Sequence, residues 1–380
     1  MNKRSLFVVP MLMSIALSSC GAVIDYKEHL EDYVYAMQYH DNFNVLQLTD
    51  IHWNYNSSAA ASKGYLAKVI NEVEKHLKDT QGANAKIDLI EITGDQFMLA
   101  NSYHVKNFLS FFEEQAIAHG FMYTAIWGNH DRHGLYNPNW LSEQFKKAEH
   151  CIYLEPEDNL YGRSNFVINL TADGTKEAAT TWQLVNLDSG ASFSETAVSP
   201  FRDYDYLRED QVDWWLKEHA RVGEAVPAIA YYHIPQQDNL EAWNKIHNDG
   251  AAYKHKFFKL EGFADNGNEK YASKFISEGR NHNLKAAFMG HAHNVDWTVD
   301  YDGVVLGLGV KTGTELYFAH IKQEDTDPAL QEGLASVGIT EDFDLIGASL
   351  VTIKDAANFD LGHLYLNERT SGDFVSWVKW

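Results

Sequence analysis

Cysteine is nearly absent: the chain has two in 380 residues, Cys20 and Cys151. If Cys20 is consumed by modification, as argued below, Cys151 is left alone and no intrachain disulfide is available. The folded part must then stand on its own core, and 380 residues are enough for one large domain or two smaller ones. Positive charge is scarce too. Lys plus Arg number 31 against 53 Asp plus Glu, a formal net charge of -22, which argues against a surface built to neutralise nucleic-acid phosphates and favours a neutral or cationic partner, or a metal. Beyond the N-terminal stretch no run of about 18 apolar residues occurs, so no second membrane segment is expected. Internal repeats and low-complexity tracts are missing as well.

What is present begins with Met1 to Ala22, MNKRSLFVVPMLMSIALSSCGA: two basic residues, an apolar run from Leu6 to Leu17, then small residues and a cysteine. The run is too short for a membrane-spanning helix, which needs about 20 residues, and has the layout of a secretory signal. Leu17-Ser18-Ser19-Cys20 resembles a bacterial lipobox, so the expectation is a signal peptide over 1–19 and a lipid on Cys20. On that reading the chain is exported and anchored to a bacterial cell membrane. An ordinary signal peptide with a chance cysteine is the alternative. Residues 20–40 read as an acidic, polar tether, and 41–380 as a single domain.

Within that domain short apolar runs alternate with amphipathic segments. Phe43 to Asp50 has strand character, and Ser62 to Lys78 places Leu66, Val69, Ile70, Val73 and Leu77 at helical spacing. A strand over Ile87 to Asp95, a helix over His104 to Ala118 and a strand over Phe121 to Asn129 follow. This alternation signals parallel strands with covering helices. After Cys151 the pattern shifts to strands at Asn165 to Thr171 and Thr181 to Gly190, read as antiparallel about a turn at Asp173-Gly174. Then come a helix over Arg208 to Arg221 and a buried strand over Val226 to Pro235, with the pair Trp214-Trp215 read as packing. Residues 236–269 carry no clear period and read as a polar insertion, either a substrate-side loop or a surface excursion. A helix over Tyr271 to Glu278, a strand over Leu284 to His291, a hairpin at Tyr301-Asp302-Gly303 and strands over Ser349 to Ile353 and His363 to Leu366 complete the domain.

The chemistry collects at strand ends, the edge of an α/β sheet where ligands bind. These ends read Thr49-Asp50-Ile51-His52, Thr93-Gly94-Asp95, Gly128-Asn129-His130-Asp131, His233, and Gly290-His291-Ala292-His293. Each alone is an ordinary turn or cap, and most of the chain's 18 histidines invite no special role. Five strand ends carrying the same classes of oxygen and nitrogen donor do invite one. Neutral imidazoles with hard oxygens suit Fe, Mn, Zn or similar ions, and a thiolate-free set does not resemble a structural zinc site.

The order D-x-H, G-D, G-N-H-D, H and G-H-x-H resembles the calcineurin-like metallophosphoesterases over roughly Phe43 to Gly313. Tyr231 to Pro235 and Leu187 to Gly190 look most like the branch related to purple acid phosphatases. The resemblance implies a four-layer α/β/β/α sandwich with mixed sheets and two metal ions. Carried over by position, Asp50, His52 and His293 would hold the first ion, Asn129, His233 and His291 the second, and Asp95 would bridge them. It also implies hydrolysis of a phosphate mono- or diester by a metal-bridging hydroxide, with His130 assisting the leaving oxygen. Asp131 would orient His130, or else cap a turn. One departure stands out: the purple branch has a tyrosine ligand three residues after the bridging aspartate, where this chain has Met98, so no tyrosinate-bound ferric iron is expected. Gly128 is expected to permit a sharp turn. His133 is read as exposed, Asp188 and Ser189 as a structural turn, and Arg132, Arg202 and Arg208 stay outside the expected site. The rival functions are a surface lipoprotein that only binds metal or phosphate, and a structural surface protein, for which missing ligands would be expected.

Overall fold

The computed structural model describes residues 34–53, 59–133, 136–154, 160–191, 204–249, 256–259, 273–316, 318, 320–322, 324, 335, 340–367 and 374–379. The signal peptide and Cys20 lie outside the described residues, as do Arg202 and most of the tether. The first strands in chain order are β1 (Val34–Gln38), β2 (Phe43–Leu48), β3 (Leu89–Thr93), β4 (Met122–Ile126), β5 (Cys151–Ile152), β6 (Phe166–Thr171), β7 (Thr180–Asn186) and β8 (Ala228–Tyr231). They are followed by β9 (Lys256–Lys259), β10 (Leu284–Met289), β11 (Val295–Tyr301), β12 (Val304–Leu308), β13 (His320–Ile321), β14 (Phe343–Asp344), β15 (Gly347–Ile353), β16 (Phe359–Asn367) and β17 (Phe374–Lys379). The helices are α1 (Ala59–Gln81), α2 (Ser102–His119), α3 (Pro138–Phe145), α4 (Glu209–Val222), α5 (Gln237–Asp249) and α6 (Phe275–Asn281).

Two mixed sheets face each other. One runs β1-β6-β7-β8-β10-β12-β11-β9 and the other β17-β16-β15-β2-β3-β4-β5, with β13 and β14 as a separate pair. Helix α1 packs on β15, α2 on β4, and α3 on α2, while α4 and α6 pack on β7 and β10 of the other sheet. The result is the expected α/β/β/α sandwich. The inward seam is visible in single contacts: the Gln47 amide donates to the Met289 carbonyl at 3.3 Å, and the Trp182 indole to Asp355 O at 2.8 Å.

The local reasons are those of the sequence pattern. In α1 the residues Leu66, Val69, Ile70, Val73 and Leu77 are all buried, forming one apolar stripe. Helix α2 starts on Asn101, whose side chain accepts from His104 N, and stops at Gly120 in the left-handed region. Strands β2, β3 and β4 are buried along their whole length and pair in parallel, as strands covered on both faces do. Trp214 and Trp215 are core residues, the latter bonded to Gln183. The hairpin turns at Asp302 and Gly303, both at positive φ.

Three expectations need correction. Residues 34–38 are not tether: they form β1, paired in parallel with β6 at the sheet edge. The segment 236–269, read as an insertion without a period, carries α5 over most of its first half, and its β9 pairs with β11. A further strand, β17, closes the second sheet beyond the last one expected.

Between the sheets sits Glu91 on β3, in register with Gln47 and Thr124. It is fully buried, and neither carboxyl oxygen has a hydrogen-bond partner among the described residues. Burial pushes its acid well above the ordinary 4.5. The folded chain therefore holds this proton more tightly than the unfolded one, so stability from this group is complete below pH 4.5 and is lost as pH rises towards the elevated value. Glu91→Gln should leave Tm nearly unchanged at pH 4.5. At about pH 8 it should raise Tm by about 2 °C or more in a thermal melt. Equal Tm shifts at the two pH values would show that Glu91 is charged in the fold.

Candidate metal centre

Parallel pairing brings the ends of β2, β3 and β4 to one edge, and β8 and β10 deliver theirs from the facing sheet. Beyond β2 the chain keeps running beside the loop after β3: Asp50 N donates to Gly94 O at 3.1 Å, His52 N to Asp95 O at 3.0 Å and Trp53 N to Gln96 O at 2.7 Å. Four residues here adopt left-handed backbone without being glycine: Asp50 (φ 52), His52 (φ 47), Asp95 (φ 53) and His291 (φ 75). Such conformations cost on the order of 1 kcal/mol or more each and persist where surroundings over-determine them. Gly128 serves differently from the expected turn. Its φ is not positive; a Cβ there would collide with the carboxylate and amide of Asp95. At Gly94 a Cβ would strike the His233 ring.

Two groups of donors converge. Asp50, His52, Asp95 and His293 have ligand atoms within 4.8 Å of one another, as do Asp95, His233 and His291. Asp95 belongs to both. Each carboxylate has one oxygen tied down and one turned into the site. Asp50 Oδ2 accepts from Thr49 Oγ1 at 2.8 Å and His291 N at 2.9 Å, leaving Oδ1 3.3 Å from His293 Nε2. Asp95 Oδ1 accepts from His130 N at 2.8 Å, leaving Oδ2 3.3 Å from His233 Nε2 and 3.9 Å from His52 Nε2. His52 and His293 bring their Nε2 atoms to 3.1 Å. His233 donates from Nδ1 to Thr93 O at 2.8 Å, which aims Nε2 inward, 3.1 Å from Asn129 Oδ1. Facing imidazole nitrogens and converging carboxylate oxygens are satisfied together by cations, and this donor set fits two of them. All seven expected ligands are buried.

The electrostatics agree. Burial pushes His52 and His293 down and takes His291 to about 3, so these rings are neutral and their lone pairs available. Burial works to raise Asp50 and Asp95, but the surrounding histidines win and hold both carboxyls low. His233 resists its burial and rises to about 9 because of Asp95. The pair shares a proton that a cation would displace.

His130 lies at the rim with its side chain 14% exposed, Nε2 3.9 Å from Asp95 Oδ2 and its ring edge-on to His52. Of the two readings offered for Asp131, the structure shows the turn cap and not the orienting role. Its Oδ2 accepts from Gly128 N and its Oδ1 from Phe97 N, both at 2.9 Å, pinning the loops after β3 and β4 together. The reason is geometric: His130 to Arg132 form a short 3₁₀ turn, in which successive side chains diverge. Burial, then Asp95, raises the Asp131 acid to about 8. The group beside His130 Nδ1 is instead exposed His133, Nδ1 to Nδ1 at 3.2 Å.

Arg132 pairs with buried Asp188. Ser189 Oγ accepts from Ile234 N at 2.9 Å, so Asp188 and Ser189 are structural, as expected. Arg208 pairs with Asp205 at 2.7 Å. Met98 is half-buried and supplies no phenolate. Two residues near the centre escaped the sequence reading. Tyr204 packs edge-on against His291, ring centroids 4.2 Å apart. Lys311 is buried and donates to Asp50 O at 2.6 Å. The available signal for Lys311 was a charged residue just past the end of an apolar run, at β12.

The chain is similar to several known proteins. The chain is 26% identical over 309 residues to "Probable inactive purple acid phosphatase 29" of Arabidopsis thaliana, covering 72% of this chain and 73% of that one. It is 25% identical over 217 residues to "Phosphatase DCR2" of Saccharomyces cerevisiae, covering 54% of this chain and 36% of that one. Among solved structures, a dimetal phosphatase from Danio rerio superposes with a TM-score of 0.48 at 11% identity, over 90% of this chain and 100% of that one. The sequence pattern of the calcineurin-like phosphoesterases matches residues 43–295, more than half of the chain, and the chain therefore belongs to that family.

Proposed function

We propose that the chain hydrolyses phosphate esters at a dinuclear metal centre. The observation that carries this reading is the membership of Asp95 in both donor groups, since a carboxylate shared by two cations about 3.5 to 4 Å apart sets a spacing that a phosphoryl group spans. Asp50, His52 and His293 form the first subsite, and Asn129, His233 and His291 the second. When bound, the ions would draw phosphate oxygens between them and acidify a water for in-line attack on phosphorus. The protein's part is positional. Thr49 and the His291 amide fix Asp50, the His130 amide fixes Asp95, and the Thr93 carbonyl fixes the His233 ring. His130 stands at the open side and gives a proton or a hydrogen bond to the leaving oxygen.

Chelator-treated protein given Mn, Zn or Fe and assayed on p-nitrophenyl phosphate and its bis ester should take up two ions per chain and turn over at least one substrate. Two bound ions without turnover on a wider ester panel would leave a binding protein, in keeping with the name of the Arabidopsis relative. No metal uptake would remove the whole reading.

A further inference from the structure

The two subsites differ in charge. The first adds the carboxylate of Asp50 to the shared Asp95, whereas the second adds only the neutral amide of Asn129. By ligand charge alone the first would hold its cation more tightly. Lys311 lies against that imbalance. The loop after β12 is stitched to the loop after β2: Thr312 N donates to Thr49 O at 2.8 Å, Gly313 N to Asp50 O at 3.3 Å, and Thr49 N to Thr312 Oγ1 at 3.0 Å. That places the Lys311 ammonium, 1% exposed, on the Asp50 carbonyl. Asp50 belongs to the first donor group alone, so the ammonium's direct contact with a ligand residue is on that side. Burial lowers the ammonium to about 8 against the pull of Asp50, Asp95 and Glu315.

We propose that Lys311 is a positioning residue whose fixed positive charge offsets Asp50, weakening the cation held by Asp50, His52 and His293 more than the one held by Asn129, His233 and His291. The inference rests on the dinuclear reading above. Its consequence is a first-subsite ion that exchanges more readily and is less neutralised by its ligands.

The test separates charge from structure. Lys311→Gln retains a donor for the Asp50 carbonyl but drops the charge, Lys311→Met drops both, and Lys311→Arg keeps the charge. Each is made in a His291→Ala background, which reports the first subsite, and in a His293→Ala background, which reports the second. Mn2+ alone is titrated calorimetrically into chelator-treated protein at about pH 6.5, below the ammonium's value of about 8. Lys311→Gln and Lys311→Met should tighten the first subsite by at least about tenfold, the effect of removing one nearby like charge from a divalent ion. The second subsite should change by less than about threefold on the same reasoning, and Lys311→Arg should match the parent at both. If Lys311→Met does not fold, the Gln and Arg variants carry the comparison. A Gln variant that binds like the parent, or that tightens both subsites equally, overturns the role of Lys311 alone. Absence of Mn2+ binding by the unsubstituted protein overturns it together with the dinuclear reading.

Discussion

Asp95→Asn is expected to lose both ions and turnover together. The substitution keeps the shape of the side chain, and the backbone of Asp95 still accepts from His52 N, so the loop is retained. What goes is the charge shared by the two donor groups, and an amide NH2 can be turned towards His233 Nε2 where a carboxylate oxygen stood 3.3 Å away. Outer-shell changes at metal sites cost about 10- to 100-fold in affinity, and loss of a shared ligand should exceed that. Metal analysis and turnover on the same sample, with a thermal melt to show the fold, check the prediction. A variant that still holds two ions would mean that Asp95 bridges nothing.

His130→Ala separates binding from chemistry. His130 belongs to neither converging donor group; it stands at the rim, with its amide tying down Asp95. The variant should keep both ions and lose about 100- to 10,000-fold in kcat, the usual worth of a positioned acid. The loss should be larger for an alkyl phosphate than for p-nitrophenyl phosphate, because a poor leaving oxygen needs the proton more. Unchanged kcat on the alkyl ester would sink the acid role, and metal loss matching that of Asp95→Asn would make His130 a ligand.

The convergence of these side chains was legible because each follows an apolar run, and parallel pairing converts that one-dimensional pattern into a shared edge. Asp50, Asp95 and Asn129 needed only the sheet order to meet. For Asp131 the sequence offered two readings, and the structure follows the turn cap through Gly128 N rather than the orienting role; its second partner, Phe97 N, comes from backbone that no side-chain motif announces. Lys311 was hidden for a related reason. The end of β12 carries no metal donor, so nothing in the motif order marks it, and only the stitched loops bring its ammonium to Asp50. Gly128 looked like a turn residue, yet its requirement is the approach of Asp95, a contact between segments 33 residues apart that composition cannot show. In the fold, β1 was missed because a short edge strand sits in acidic, polar sequence and takes its pairing from β6, far along the chain. The helix α5 was missed because Asn, Asp and Lys dilute the apolar spacing of Leu240, Trp243 and Ile246.

The central claim is that hydrolysis needs both subsites filled. Chelator-treated protein should be reconstituted with measured equivalents of one metal, and turnover of a phosphate ester followed against ions bound per chain. Turnover that stays near zero until the first ion is in place and climbs with the second is the predicted result. Turnover that is independent of metal, or complete at one ion per chain, would contradict it.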